Sequence, residues 1–212
     1  KRQREKVAKI NHIRGILTEY GLVMGKSINA FLAKAGSLIV QADVSPYIVS
    51  ELTALFREVK EAMEKIKELE TNIDSIAKTL KQYDLFRSAP GVGPITAATM
   101  LVLLCNPAVF KNGREFAAYI GLAPKSSGSG GKNFVTHIPK KCECNNDVRA
   151  LLVQCAHSIC RCRHKSDWVS SILARKPKKV AIIAIANKLA RQLWIMAKKG
   201  EKFEKRFILA AV

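Results

Sequence analysis

The clearest regularity in the chain is a stripe of apolar residues. Ile48, Leu52, Leu55, Val59, Ala62, Ile66, Leu69, Ile73, Ile76 and Leu80 follow one another at alternating spacings of four and three. Polar and charged residues fill the positions between, so a helix here carries one continuous apolar seam. Leu52, Val59, Ile66, Ile73 and Leu80 take the a positions of nearly five heptads, and Ile48, Leu55, Ala62, Leu69 and Ile76 the d positions. A seam of this length predicts a coiled coil, with its partner helix from another subunit or from elsewhere in the chain. Phe56 and Met63 widen the seam at e positions. That keeps open the plainer reading of one amphipathic helix packed on its own core. Ser45-Pro46 opens the element as a capping serine with proline in the first turn.

The remaining pattern is also helical. Val7, Ile10, Ile13 and Leu17 recur at helical spacing in a basic segment that Gly21 and Gly25 punctuate, and 28–40 reads as a short helix or loop. Leu85–Cys105 holds a short apolar turn, then Pro90-Gly91-Val92-Gly93, then an alanine-rich helix. This is the pattern of a helix-hairpin-helix, whose glycines allow a tight turn and whose second helix offers free N–H groups to a phosphate. A plain interhelical turn uses the same residues. Short helices are predicted over 116–120, 148–162 and 167–174, and a long one over 178–199 ended by Gly200. Residues 121–141 read as a loop or hairpin, with a strand-like alternation only over 134–138. The expected fold is mainly α. A basic linker-helix region (1–44) and a coiled coil for oligomerisation (45–83) precede a helical domain with the helix-hairpin-helix (84–212).

Charge changes the picture. Lys and Arg number 36 against 17 Asp and Glu, a net charge of +19. From Lys111 onward there are 21 basic and 6 acidic residues, whereas Pro46–Gln82 holds 6 and 7. A neutral segment for protein contacts and a cationic one for polyanions are the expected division of labour. Nucleic acid is the first candidate polyanion and an anionic membrane surface the second. The chain opens Lys-Arg-Gln-Arg without Met, which reads as a fragment or processed product. No signal peptide is visible, and the apolar run 180–197 is broken by Asn187, Lys188, Arg191 and Gln192. A soluble, cytoplasmic, nucleoid-associated protein without membrane contact is expected. The cysteines 105, 142, 144, 155, 160 and 162 are spaced C-x-C and C-x4-C-x-C, which fits no standard zinc ribbon or finger. Reduced thiols and no bound metal are expected, with a zinc protein as the contrary hypothesis.

The stretch with most chemistry is Pro124-Lys-Ser-Ser-Gly-Ser-Gly-Gly-Lys132, with three hydroxyls, three glycines and a lysine near each end. Glycines let backbone N–H groups converge into an anion nest, to which Lys125 and Lys132 add charge. A serine there can attack a phosphodiester, because the same donors stabilise charge building on the phosphoryl oxygens. It needs a base or a metal. Candidate bases are His137, His157, His164, Asp147 and Glu143, and none has a committing spacing. A flexible Gly/Ser linker is the competing account. The loop is not a Walker A motif, since Asn133 follows Gly-Lys. Further basic zones are Lys140, Lys141, Arg149, Arg161, Arg163 and Lys165, then Arg175, Lys176, Lys178, Lys179, Lys188 and Arg191. Their sparse acidic compensation favours phosphate neutralisation over a merely solvated surface. Phe134, Trp168 and Trp194 are candidate base-stacking residues, although both tryptophans lie on apolar faces, where core packing is expected.

Several motifs in order resemble one family. Pro90-Gly-Val-Gly-Pro-Ile-Thr-Ala97, Phe116-Ala-Ala-Tyr-Ile-Gly-Leu-Ala-Pro-Lys125, Ser129-Gly-Gly-Lys132 and Arg149-Ala-Leu-Leu152 resemble the transposase domain of the insertion sequence 110 and 1111 group, which includes the Piv/MooV DNA invertases. Lys178–Arg191 is similar to the family's last helix, and Asn11–Gly21 to its linker region. The resemblance implies an N-terminal RuvC-like domain whose four acidic residues bind Mg²⁺, then a coiled coil, then a domain with a nucleophilic serine. That serine forms a covalent phosphoserine with DNA. The resemblance also implies dimers or tetramers, and a structured bridge RNA that pairs with donor and target DNA. The serine before Gly-Gly-Lys carries over to Ser129. Gly128 stands where the family often has a second serine, so Ser127 is the second choice. Cys142-Glu-Cys-Asn-Asn replaces the family's Arg-Gly turn.

The expected nucleic-acid contacts are Gly91, Gly93, Lys125, Lys132, Lys140, Lys141, Arg149, Lys178, Lys179, Lys188 and Arg191. Nothing in the chain matches the acidic domain, so the 212 residues are expected to lack the Mg²⁺ site and to be unable to cut DNA alone. The alternative function is a non-enzymatic helix-hairpin-helix scaffold that binds DNA or RNA.

Overall fold

A computed structural model describes residues 2–41, 43–124, 126–129, 132–135, 145–163 and 165–203, and for 126–129 and 132–135 the backbone alone. The chain divides into two compact units, Lys1–Asn72 and Ile73–Val212. The protein is mainly helical, as the periodicities predict.

The first unit contains α1 (Arg2–Glu19), α2 (Ile28–Gln41) and most of α3 (Pro46–Lys78). Ile10, Ile13 and Leu17 of α1, Phe31, Ala35 and Ile39 of α2, and Leu52, Phe56 and Val59 of α3 form one buried cluster. Phe31 and Phe56 meet edge to face with centroids 5.7 Å apart, a geometry that aromatic quadrupoles favour. Val7 lies on the periodic face of α1 but is exposed, and the stem of Lys6 is buried instead. A long aliphatic stem covers core while its ammonium reaches water. Gly21 at φ 74° ends α1, with Gly21 N–H donating to the Thr18 carbonyl and Leu22 N–H to that of Leu17. Arg14 Nη2 then gathers the carbonyls of Gly25, Lys26 and Ser27 at 3.0–3.2 Å, which fixes the entry to α2.

The apolar seam of α3 therefore has two fates. Leu52, Phe56 and Val59 are consumed by packing against α1 and α2, as the plainer reading of the seam expects. Leu69, Ile73 and Ile76 remain exposed, and the helix ends at Lys78, so Leu80 falls in the turn that follows.

The second unit is built around α9 (Lys178–Lys199). Against it pack α4 (Tyr83–Arg87), α6 (Gly113–Tyr119), α7 (Asn146–Arg161) and α8 (Asp167–Arg175), while α5 (Pro94–Leu103) contacts α4 and α7. Ile182, Ile185, Ala186, Leu189, Leu193 and Met196 put α9 at the centre of the core, with Phe86, Met100, Phe116, Ile120 and Leu152 around them. Among the described residues α9 is the one helix long and apolar enough to cross a membrane. The greater part of that stretch, 61%, is buried inside the unit, as in a core helix. Side-chain caps start the surrounding helices: Asn112 for α6, Asn145 for α7 and Ser166 for α8 accept from the third residue onward. Trp194 is buried, and its indole N–H donates to the Pro107 carbonyl at 3.0 Å, the core role expected of it.

One element differs from the sequence expectation. Ser126–Ser129 (β1) and Lys132–Val135 (β2) pair antiparallel, where the alternation suggested only 134–138. The missed half is Ser-Ser-Gly-Ser, which carries no hydrophobic alternation. Backbone pairing rather than a buried face defines that strand. Residues 136–138 lie outside the described residues.

Candidate nucleic-acid interface and serine hairpin

The hairpin grows out of α6. Gly121 at φ 78° ends that helix, with Gly121 N–H bonded to the Ala118 carbonyl and Leu122 N–H to the Ala117 carbonyl. The next two carbonyls are taken by side chains from other helices. Arg149 Nη1 of α7 donates to Gly121 O at 3.5 Å, and Asn187 Nδ2 of α9 donates to Leu122 O at 3.1 Å. Arg149 Nη2 is in turn held by Asn146 Oδ1 at 2.7 Å. Three elements thus fix the stem from which the serine hairpin leaves. In the register, Ser129 pairs with Lys132 as the last pair before Gly130-Gly131, while Ser127 pairs with Phe134. Lys125, Lys140 and Lys141 lie outside the described residues, as do the candidate bases His137, His164 and Glu143.

The turn between α4 and α5 holds the two glycines singled out by sequence, and they differ. Gly91 has φ 74°, and a Cβ there would lie 2.7 Å from the Cys155 carbonyl oxygen and 2.9 Å from Ile159. Close packing on α7 therefore accounts for glycine at 91. Gly93 has an ordinary φ of −86° and caps α5 ahead of Pro94, and a Cβ there would meet nothing within 4 Å. Arg87 Nη1 closes the turn by donating to the Val92 carbonyl at 2.5 Å.

The cations separate into two kinds. Lys178 and Lys179 are exposed at the start of α9. Lys188 is only 5% exposed, and its Nζ lies 4.0 Å from the centroid of the half-buried Trp168 ring on α8. Burial pulls its ammonium below the usual lysine range, and Arg191, one turn further on, adds to this. Arg191 is half-buried, and its Nε has no hydrogen-bond partner among the described residues. Burial and then the neighbouring Arg114 lower its pKa as well. Gly113 lets α6 approach α9 this closely, since a Cβ there would sit 3.2 Å from the Arg191 backbone.

The cysteines divide similarly. Cys155 is buried, and its thiol donates to Thr96 Oγ1 at 3.5 Å, joining α7 to α5. Burial pushes this thiol up, and that of Cys160 too, which disfavours thiolate. Cys105 and Cys162 are exposed, and Cys142 and Cys144 lie outside the described residues. Among the described residues no three His, Cys, Asp or Glu side chains cluster as a metal site would. His157 and Asp147 are both exposed on α7.

Sequence reasoning passed over Asn187 and Arg114. Asn187 was visible only as a polar break in an apolar helix. Such an amide in a core-facing run usually has a specific carbonyl to satisfy, and here that carbonyl belongs to the hairpin stem.

Residues 83–170 match the model of the family described as Transposase IS116/IS110/IS902. Over 91% of its length the chain is 35% identical to a putative transposase, y4pF/y4sB, of Sinorhizobium fredii, covering 51% of that protein. It is 31% identical to the transposase for insertion sequence element IS1328 of Yersinia enterocolitica, over 95% of this chain and 61% of the relative. The transposase for IS1111A of Coxiella burnetii is 29% identical over 94% of this chain and 56% of its own length. The chain thus spans about half to three-fifths of the curated relatives it matches. The matched region begins at Tyr83, the first residue of α4, and runs through the glycine turn, the serine hairpin and α7 into α8. Through this region the chain is similar to the transposases of the IS116/IS110/IS902 family.

Proposed function

We propose that the chain is the DNA-handling part of a transposase that acts as a site-specific recombinase, and that Ser129 is its nucleophile. The observation that carries this reading is the anchored hairpin. Its stem is fixed by Arg149 and Asn187, and Ser129 occupies its last described pair, opposite Lys132. A nucleophile gains most from such fixing, since orientation lowers the entropic part of the barrier. In the step, serine Oγ forms a bond to phosphorus while the bond from phosphorus to a sugar oxygen breaks. A base takes the serine proton and the departing sugar oxygen is protonated. A DNA hydroxyl from the exchanging strand later reverses the attack and frees the serine. Ser127 is the second candidate for this role.

The Mg²⁺ expected from the family resemblance would be held by acidic residues of a RuvC-like domain elsewhere in the protein, so this chain alone supplies half of a composite site. A bridge RNA would choose the DNA through base pairing. A second copy of the chain would cover the exposed end of the α3 seam, Leu69, Ile73 and Ile76. The test uses the complete transposase containing this segment, with its RNA and cognate DNA. Trapping under denaturing conditions should give a covalent protein–DNA species that Ser129→Ala abolishes. If Ser129→Ala and Ser127→Ala each leave that species intact, the nucleophile lies elsewhere. If no such species forms in the parent, the non-enzymatic scaffold becomes the better reading.

A further inference from the structure

Lys188 is in an unusual position for a lysine. It is only 5% exposed and its ammonium lies 4.0 Å from the Trp168 ring centroid, while among the described residues no carboxylate or carbonyl receives it. The ring quadrupole compensates only in part for lost hydration. Arg191 follows at i+3 on α9, the spacing at which helix side chains are neighbours. Its Nε is buried without a hydrogen-bond partner, and the charge that acts on it from α6 is another cation, Arg114. Arg14 in the first unit shares the unpartnered buried Nε, but its Nη2 is held by three backbone carbonyls, whereas among the described residues no carbonyl or carboxylate bonds the Arg191 guanidinium. Three cations brought together by helix packing without such acceptors are arranged for an anion that arrives from outside.

We propose that Lys188, Arg191 and Arg114 form one seat for a backbone phosphate of nucleic acid beside the Trp168 ring. The shape suits a phosphodiester: guanidinium forks address its two non-bridging oxygens and the ammonium adds a point charge. Asn187, next to Lys188 in the chain, holds the stem of the serine hairpin, so the seat lies on the same helix that anchors that hairpin. The proposal rests on the reading that this unit handles DNA or RNA, and either polymer offers the same phosphate.

The test measures binding of the 212-residue chain to a DNA duplex and to a structured RNA across a salt series. Lys188→Met and Arg191→Met should each lower affinity about tenfold or more at low salt. Each should also flatten the dependence of log K on log salt by roughly 0.9 for duplex DNA, one counterion-release unit. The free Lys188→Met chain should melt close to the parent, because methionine keeps most of the buried stem while a partly desolvated ammonium is removed. A loss confined to DNA or to RNA names the source of the phosphate. Parental affinity and salt slope in both variants overturn the seat and leave the nucleic-acid reading standing. A parent that binds neither polymer overturns both. If Lys188→Met melts early, Arg191→Met decides alone.

Discussion

At the scale of single residues, the two turn glycines are the sharpest contrast. Gly91 combines a left-handed φ of 74° with a backbone oxygen 2.7 Å from where a Cβ would stand. Alanine there would add left-handed strain to a clash with a helix carbonyl, which has no side-chain freedom to yield. Gly91→Ala should therefore destabilise the second unit by on the order of 3 kcal/mol, read from denaturant or thermal unfolding. Gly93→Ala meets open space at an ordinary φ. It should change stability by less than about 1 kcal/mol, the scale of a weakened N-cap. An equal loss at both positions would show that steric fit does not distinguish them. The sequence marked both glycines alike, because Pro-Gly-Val-Gly-Pro reads as a turn and α7, which decides between them, lies more than fifty residues downstream.

At the scale of elements, the joint between α3 and α4 has a predictable pH response. Tyr83 is buried and donates its hydroxyl to the Asp74 carboxylate, which also binds Lys78. The Lys78 hydrogen bond, then that of Tyr83, holds Asp74 below the usual carboxylate range. Its contribution is therefore complete above the ordinary value near 4 and fades as pH falls through the depressed one. Burial, then Asp74, pushes the Tyr83 phenol up to about 12. That contribution is complete below the ordinary value near 10 and fades as pH rises toward 12. Unfolding midpoints should be flat with respect to this joint between about pH 4 and pH 10. Tyr83→Phe should lower the plateau and remove the alkaline limb. An unchanged alkaline limb in that variant would assign it to other groups. The helices themselves were legible, because apolar spacing and capping residues are local signals. The hairpin was half legible, since β1 lacks any hydrophobic alternation to announce it.

At the scale of the whole molecule, the heptad seam and the charge are the two long-range features. The seam is partly spent inside the first unit, and its later residues are exposed: Ile73 by 39% and Ile76 by 68%. If a second copy covers them, replacing both by Glu should convert the assembly to monomers, measured as mass by light scattering. Secondary structure should be unchanged, since both positions are exposed in the chain alone. A parent that is monomeric across the working concentration range, or an assembly that survives both substitutions, would remove the seam as the oligomer contact. The net charge of +19 should keep such monomers soluble through mutual repulsion.

The amino-acid sequence by itself determined the helical class, the element order, the basic character and the family motifs, because each rests on neighbouring residues or on composition. It also drew attention to Ser129, Gly91, Lys188 and Arg191. Tertiary structure alone decided which glycine is required by packing and which end of the seam is spent. It alone decided that Arg149 and Asn187 hold consecutive carbonyls of the hairpin stem, and that Lys188 is buried on Trp168 beside other cations. Those facts depend on which helices meet across gaps of tens of residues. Chain closure and core packing set such meetings, and no local pattern in the sequence encodes them.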